Sequence, residues 1–508
     1  MIKKSDIFLS LISGGMLIFS FPPFDIYPLA WFGLIPLLIA LWGKNTKTSF
    51  FLGMIAGFVY FLGTVYWVFH SMYFYGYIAA PLSILILVLL CLYLSLFAGA
   101  FSALFLFIAR SSRVPSMIIA PAVWVTLEYL RTYAFTGFPW ASLGYSQYRF
   151  LPLIQIADTT GIYGVSFLVV ATNSVIFDAV ISWPRRMRQE PLFPRWLLTF
   201  SIIIYGAVMA VVLLYGFGKL GDITTGENIK ISVVQGNIPQ DKKWDARFQR
   251  EVIDTYKRLS LSVSSASPGM IVWPETAVPF IFGDDASLSQ EITALPGQLN
   301  TYLLFGAMVA KDTARLSNSA VLLSPGGKVL SMYDKIHLVP YGEYVPLRNF
   351  FPFIEKITVG IGDFLPGKEY AVMETPFAKI GNLICYEIIF PGLVRNFVDR
   401  GANVLVTITN DAWFGRTAAP YQHFSMAVFR AVENRVPVVR AANTGISGFI
   451  DSRGRILNKS DIFVEAAMTE KIVPGNERSS YTTYGDLFAY WCVIGTVVLI
   501  MKRLFLKK

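Results

Sequence analysis

The stretch Gly381-Asn-Leu-Ile-Cys385-Tyr-Glu387-Ile-Ile-Phe-Pro391 ends an alternating apolar run on a cysteine with ionisable neighbours. A strand that stops this way presents its last side chain at a sheet edge. A thiol placed there can become a thiolate and attack an acyl carbon, provided a base and a cation stand nearby. Two further patches supply those groups. Ile271-Val-Trp-Pro-Glu275-Thr-Ala puts a carboxylate directly after a short apolar strand, and Met332-Tyr-Asp-Lys335-Ile-His-Leu-Val-Pro puts a lysine on another.

Around these patches, short β-branched runs recur at 229–234, 270–273, 303–309, 320–323, 378–384, 404–409, 436–441 and 446–450. Helical patterns separate some of them, at 247–263, 393–400 and 423–434. Pro391-Gly392 suits a turn from the cysteine strand into the helix that follows. Strands and helices mixed in this way predict a layered α/β domain.

That domain does not account for the whole chain. Of 508 residues, 54% are hydrophobic and only 15% charged, too apolar for an ordinary soluble protein. The apolar residues crowd the first two hundred positions and the last twenty-five. Runs near 6–22, 26–43, 49–72, 81–109, 115–133, 161–182, 196–217 and 485–502 have the length of membrane helices, about 17 to 25 residues. Eight spans are therefore expected: seven in 1–217, and an eighth with a basic tail in 485–508. A soluble domain of 218–484 lies between them.

The formal charge of +10 is spread in short runs beside these spans. It reads as membrane topology and not as a nucleic-acid surface. Lys3, Lys4, Lys44, Lys47, Arg110, Arg113, Arg185, Arg186, Arg188 and the basic C-terminal residues all fall on one side if eight helices alternate, whereas Pro22 to Asp25 and Tyr73 to Tyr77 carry no basic residue. Both termini are thus expected in the cytoplasm, with the soluble domain across the membrane. Lys3 and Lys4 before an apolar core resemble a signal peptide, but Phe19-Ser-Phe-Pro-Pro offers no small-residue cleavage site, and the segment is taken as a retained span.

Cys91 and Cys492 lie within apolar spans and read as packing residues. His70, His337 and His423 are scattered, so neither a disulfide framework nor a metal site is expected. Cys385 stands apart because of its surroundings. At a reference pKa of about 8.5 its thiol is protonated near neutrality and needs a base or a cation. Glu275 can be the base, and its apolar setting after Trp273-Pro274 is expected to raise its pKa. Lys335 can be the cation that stabilises an oxyanion. Taken singly, each has an ordinary reading: an inert buried thiol, a loop carboxylate, an exposed edge-strand lysine.

Trp273-Pro-Glu275, Tyr333-Asp-Lys335 and Ile384-Cys385-Tyr-Glu387 occur in the order and approximate spacing of the nitrilase superfamily, which the 220–485 region resembles. With helices on both sides, the chain is similar to the membrane-bound apolipoprotein N-acyltransferase branch. The resemblance implies an α-β-β-α sandwich beside a polytopic helical membrane domain, with Glu275 as general base, Lys335 as stabilising cation and Cys385 as nucleophile. It also implies supporting or substrate-binding roles for Glu343, Tyr386, Glu387 and Trp244. Thr409-Asn-Asp-Ala-Trp-Phe-Gly415 and Arg440-Ala-Ala-Asn-Thr-Gly-Ile-Ser match family blocks without implied roles. The expected partners are a phospholipid acyl donor, a diacylglyceryl apolipoprotein acceptor and the bilayer, with no cofactor, for a monomer in a bacterial inner membrane whose catalytic domain is periplasmic. The same triad would also serve a tethered amidase. Phe350-Phe-Pro-Phe-Ile354 is expected to form a mobile arm over the cysteine pocket, and Trp413-Phe414-Gly415 is a second apolar loop.

Overall fold

The computed structural model describes residues 2–110, 114–182, 195–222, 226–312, 315–344 and 364–505. The expected arm at 350–354 lies outside them. The chain divides into two compact units: Met1–Phe69 with Pro81–Asp222 and Tyr484–Lys508, and His70–Ala80 with Ile223–Thr483.

The first unit is helical. Its apolar runs fold as Lys4–Phe19, Tyr27–Trp31 with Ile35–Leu41, Thr46–Val65, Ala80–Ala109, Ser116–Tyr133, Ile162–Ile181, Arg195–Gly221 and Leu487–Phe505. Among the described residues, five helices are long and apolar enough to cross a membrane, so length and composition do not reach the expected eight. The reasons are local. Lys4–Phe19 has 16 residues, Ser116–Tyr133 carries Glu128 and Arg131, and the run at 26–43 is broken in two. At that break Asn173 closes the freed backbone: Leu34 N donates to its Oδ1 at 2.8 Å, and its Nδ2 donates to Ala30 O at 2.9 Å. Such satisfaction is what allows irregular backbone at membrane depth. Thr46–Val65 meets Ala80–Ala109 through small residues, where a Cβ on Gly53 would collide with Ala98 O and Ser102 Oγ, as expected where close packing drives association.

The second unit contains strands β1 (Ile229–Gln235), β2 (Met270–Val272), β3 (Tyr302–Ala310), β4 (Leu316–Leu323), β5 (Val329–Asp334), β6 (Val372–Glu374), β7 (Lys379–Ile384), β8 (Val404–Thr409), β9 (Val438–Ala442), β10 (Gly448–Ile450), β11 (Ile456–Lys459) and β12 (Ala466–Ile472). They form two six-stranded sheets, ordered β12-β1-β2-β3-β4-β5 and β11-β10-β9-β8-β7-β6. In each sheet three central strands run parallel: β1, β2 and β3 in one, β7, β8 and β9 in the other. Strands such as β2, β8 and β9 are buried throughout, which explains their near-continuous apolar sequences.

The sheets meet face to face, β1 against β9 and β4 against β7. Helices Gln249–Ser262 and Ala286–Leu299 share a core with the first sheet through Ile253, Tyr256, Ile292, Leu295, Trp273 and Phe305. Helices Pro391–Asp399 and Ala419–Asn434 pack with elements of the second. The unit is the expected α-β-β-α sandwich. Sequence periodicity did not reveal β6, β11 or β12. β11 is exposed along its length and β12 only half-buried, so partner strands, not apolar alternation, define them.

Candidate active site

Parallel strands end together, and their carboxyl ends are where a layered sheet leaves side chains free to converge. Glu275 follows β2, Lys335 follows β5, Cys385 follows β7 and Asn410 follows β8. Lys335 is thus one residue past its strand and 1% exposed, not displayed on an edge.

Lys335 Nζ lies 2.8 Å from Glu343 Oε1 and 3.4 Å from Glu275 Oε1. Asn318 on β4 donates through one nitrogen to both carboxylates, at 2.8 Å to Glu275 and 2.9 Å to Glu343. Asn410 N donates to Glu275 Oε2 at 2.9 Å, and Val339 N to Glu343 Oε2 at 2.8 Å. Lys243, itself buried, donates to the Glu275 carbonyl at 3.0 Å. Gly306 on β3 gives this turn its room, since a Cβ there would lie 2.6 Å from Glu275 Cα.

Cys385 is buried and has φ of +55°, a left-handed conformation that L side chains rarely adopt and that persists only where the surroundings enforce it. It turns the chain sharply from β7 into the 3-10 turn Cys385–Ile389. Its thiol lies within electrostatic reach of Glu275, Lys335 and Asp411. Its carbonyl faces His423 Nε2 at 3.2 Å. His423 Nδ1 faces Asp411 at 3.1 Å and the Arg440 guanidinium at 3.0 Å. A backbone carbonyl can only accept, so Nε2 carries a proton and donates it to Cys385. Arg440 also donates to Asp411 at 2.7 Å.

Glu387 accepts on Oε1 from Tyr333 Oη and Ile336 N, both at 2.7 Å, and from His337 N at 3.1 Å, and on Oε2 from Ile384 N at 2.7 Å. It therefore fastens the lysine loop to the end of the cysteine strand. Tyr386 is buried, its ring beside Phe390 and His337. Trp244 stands half-exposed directly after the turn Gln240–Lys243 that delivers Lys243. The structure thus brings together Glu275, Lys335, Cys385 and Glu343, places Glu387 and Tyr386 beside them, and leaves Trp244 at the margin.

The electrostatics correct one expectation. Burial alone would raise the Glu275 carboxyl, but Lys335, the Asn318 amide and Lys243 together hold it below its ordinary value. Burial raises the Cys385 thiol well above the usual range, and the Glu275 carboxylate adds to this. Burial would lower Lys335, yet Glu343 and Glu275 keep its ammonium firmly charged. Burial brings Lys243 down to about 8 and pushes Glu387 up to about 7. The resting state is accordingly thiol beside carboxylate, not thiolate beside acid.

Sequence reading overlooked Asn318 and Lys243 and assigned His423 no role. The only signal for the first two was polarity inside otherwise apolar or structured runs, and for His423 its place on a helix buried on every face.

Residues 13–175 match the apolipoprotein N-acyltransferase N-terminal domain family, and residues 230–478 match carbon-nitrogen hydrolase. The chain is 44% identical over 503 residues to an apolipoprotein N-acyltransferase of Geobacter metallireducens, covering 98% of this chain and 95% of that protein. It is 32% identical over 499 residues to one of Haemophilus influenzae, covering 95% and 92%. Among solved structures, an amidase from Nesterenkonia sp. aligns with a TM-score of 0.40 at 18% identity, covering 53% of this chain and 99% of the amidase.

Proposed function

The chain belongs to the apolipoprotein N-acyltransferase family, and from that premise we propose that it moves a fatty acyl chain from a membrane phospholipid, through a Cys385 thioester, to the α-amine of the S-diacylglyceryl-cysteine that begins an apolipoprotein. Glu275 takes the Cys385 proton as sulfur attacks the ester carbonyl. The Lys335 ammonium stabilises the oxyanion. As the C–O bond breaks, protonated Glu275 returns its proton to the departing lysophospholipid oxygen, leaving a thioester. The acceptor amine then attacks the thioester, Glu275 removes its proton, the C–S bond breaks and the thiol is regenerated. The kinetics are ping-pong.

The raised thiol and lowered carboxyl suit this sequence. Glu275, Glu343, Lys335 and Lys243 carry two negative and two positive charges, so passing a proton from sulfur to Glu275 leaves the buried total unchanged. Expelling it to solvent would leave an added anion in a low-dielectric site, which is costly. Proton removal is therefore coupled to attack on the carbonyl.

The observation that carries this reading is Cys385, buried and turned out of its strand at φ +55° at the same strand ends as the buried Glu275 and Lys335, which lie 3.4 Å apart. We further place 1–217 and 485–508 in the bilayer, 218–484 in the periplasm and both termini in the cytoplasm, an orientation that the distribution of lysine and arginine supports.

Intact mass spectrometry after incubation with a phospholipid of defined acyl chains tests the chemistry. A gain of one acyl group, absent in Cys385→Ala, removed by neutral hydroxylamine and cleared by a diacylglyceryl peptide with a free amine, is expected. Release of free fatty acid with no N-acylated peptide would instead make the chain a hydrolase.

A further inference from the structure

A cleft of about 260 Å³ opens in the second unit, lined in part by Tyr75, Gln240, Asp241, Arg416, Thr444 and Phe463. Its walls are fixed. Ser71 Oγ donates to Trp413 O at 2.8 Å, the Tyr75 ring meets Trp413 edge-on, and a Cβ on Gly415 would strike the His70 ring. The opposite wall is clamped by Asn443, which accepts from Ile238 N at 2.8 Å through its side chain and from Asn237 N at 2.9 Å through its backbone. Phe463 N donates to Thr444 O at 2.7 Å, and the Arg416 guanidinium lies 4.6 Å from the Phe463 ring centre.

Two features point to a ligand. Thr444 lines the cleft, and its hydroxyl, buried in a residue 2% exposed, has no hydrogen-bond partner among the described residues, a state that costs free energy unless a partner reaches it. The cleft is also wired to the reaction centre: Asn410 Nδ2 donates to Gln240 Oε1 at 2.7 Å, while the Asn410 backbone N holds Glu275.

We infer that this cleft seats the peptide segment immediately following the lipidated cysteine of the acceptor; the inference rests on the acyl-transfer reading above. A peptide presents N–H donors and carbonyl acceptors together. Asp241 can take the donors, and Arg416 and the Thr444 hydroxyl can serve the carbonyls. The phosphodiester of a donor headgroup carries acceptors alone, and the Asp241 carboxylate in the wall would repel it. An occupied cleft also bears on the Gln240–Asn410 link, so acceptor arrival is felt where Glu275 must take a second proton.

The test separates the half-reactions. Acyl-enzyme is formed, quantified by intact mass and chased with either S-diacylglyceryl-cysteine amide or the same cysteine followed by a short serine-glycine peptide. The wild type prefers the peptide acceptor. In Thr444→Val and in Arg416→Ala that preference falls about fivefold to tenfold, the loss of one or two hydrogen bonds. Thr444→Val removes a hydroxyl without a partner and keeps the side-chain shape, so its thermal midpoint holds or rises. An unchanged preference in both variants overturns the inference. Slower acyl-enzyme formation with the preference intact also overturns it and assigns the cleft to the donor headgroup. Failure of the wild type to form any acyl-enzyme removes the underlying reading instead, and this inference with it.

Discussion

Lys335 Nζ and Glu343 Oε1 form a 2.8 Å ion pair with the ammonium 1% exposed. Lys335→Met would leave the Glu343 and Glu275 carboxylates with the Asn318 amide as their one shared donor among the described residues. Thioester formation should fall by about a hundredfold or more, the usual loss when a transition-state donor is removed. Stability should fall by about 3 kcal/mol, because a buried partner is left uncompensated. Rapid-quench measurement of the acyl-enzyme burst, with thermal unfolding in the same detergent, reads both. A near-normal burst would remove Lys335 from oxyanion stabilisation.

The pH profile follows from the placement of Glu275. Its carboxyl is held below the ordinary 4.5, so it remains an ionised base throughout the neutral range. The acid limb of kcat/KM for the phospholipid should lie below pH 4.5. A limb centred near pH 6 would point to another base.

His423 offers its Nε2 proton to the carbonyl of the strained Cys385 and so acts through that residue. It is a positioning residue. His423→Ala should slow acyl-enzyme formation by about tenfold to a hundredfold, the scale of small misplacements of a reacting atom, with phospholipid KM unchanged. His423→Gln, which can still donate to the carbonyl, should recover much of the rate. Equal defects in both variants would indicate loss of packing alone.

Glu387 gives stability a pH dependence of defined sign. Burial raises its carboxyl to about 7 against the effect of its donors. Between the ordinary 4.5 and about 7, the folded chain retains a proton that the unfolded chain has released, so its contribution to stability falls as pH rises through this window. Thermal midpoints measured across pH 5 to 8 should show that decline in the wild type and a flatter line in Glu387→Gln. Parallel slopes would assign the titration elsewhere.

Glu275, Lys335 and Cys385, which the structure brings together, were legible in the sequence because each stands after an apolar run, and strand ends are marked by composition. Lys335 was visible but misplaced, since a single lysine gives no sign of how deeply its loop is folded in. The direction of the Glu275 shift was read wrongly. Trp273-Pro274 announces burial, whereas the cations and amide that outweigh it come from positions 243, 318 and 335, on other elements. The same holds for Asn318: its neighbours Ser317 and Ser319 make it look like part of a polar turn, yet it is a buried strand residue. In the helical unit, periodicity located the segment at 26–43 but not its break, which a side chain from Ile162–Ile181 makes tolerable.

That break has a bearing on biogenesis. The backbone N–H of Leu34 finds its partner 139 residues further along the chain, so the ribosome must synthesise most of the helical unit before this early segment can be completed. Until then its open peptide groups need water, a chaperone or the translocon as a temporary substitute. Completion of the second segment is thereby tied to the arrival of Asn173, so its final hydrogen bonding is not reached independently of the later helices.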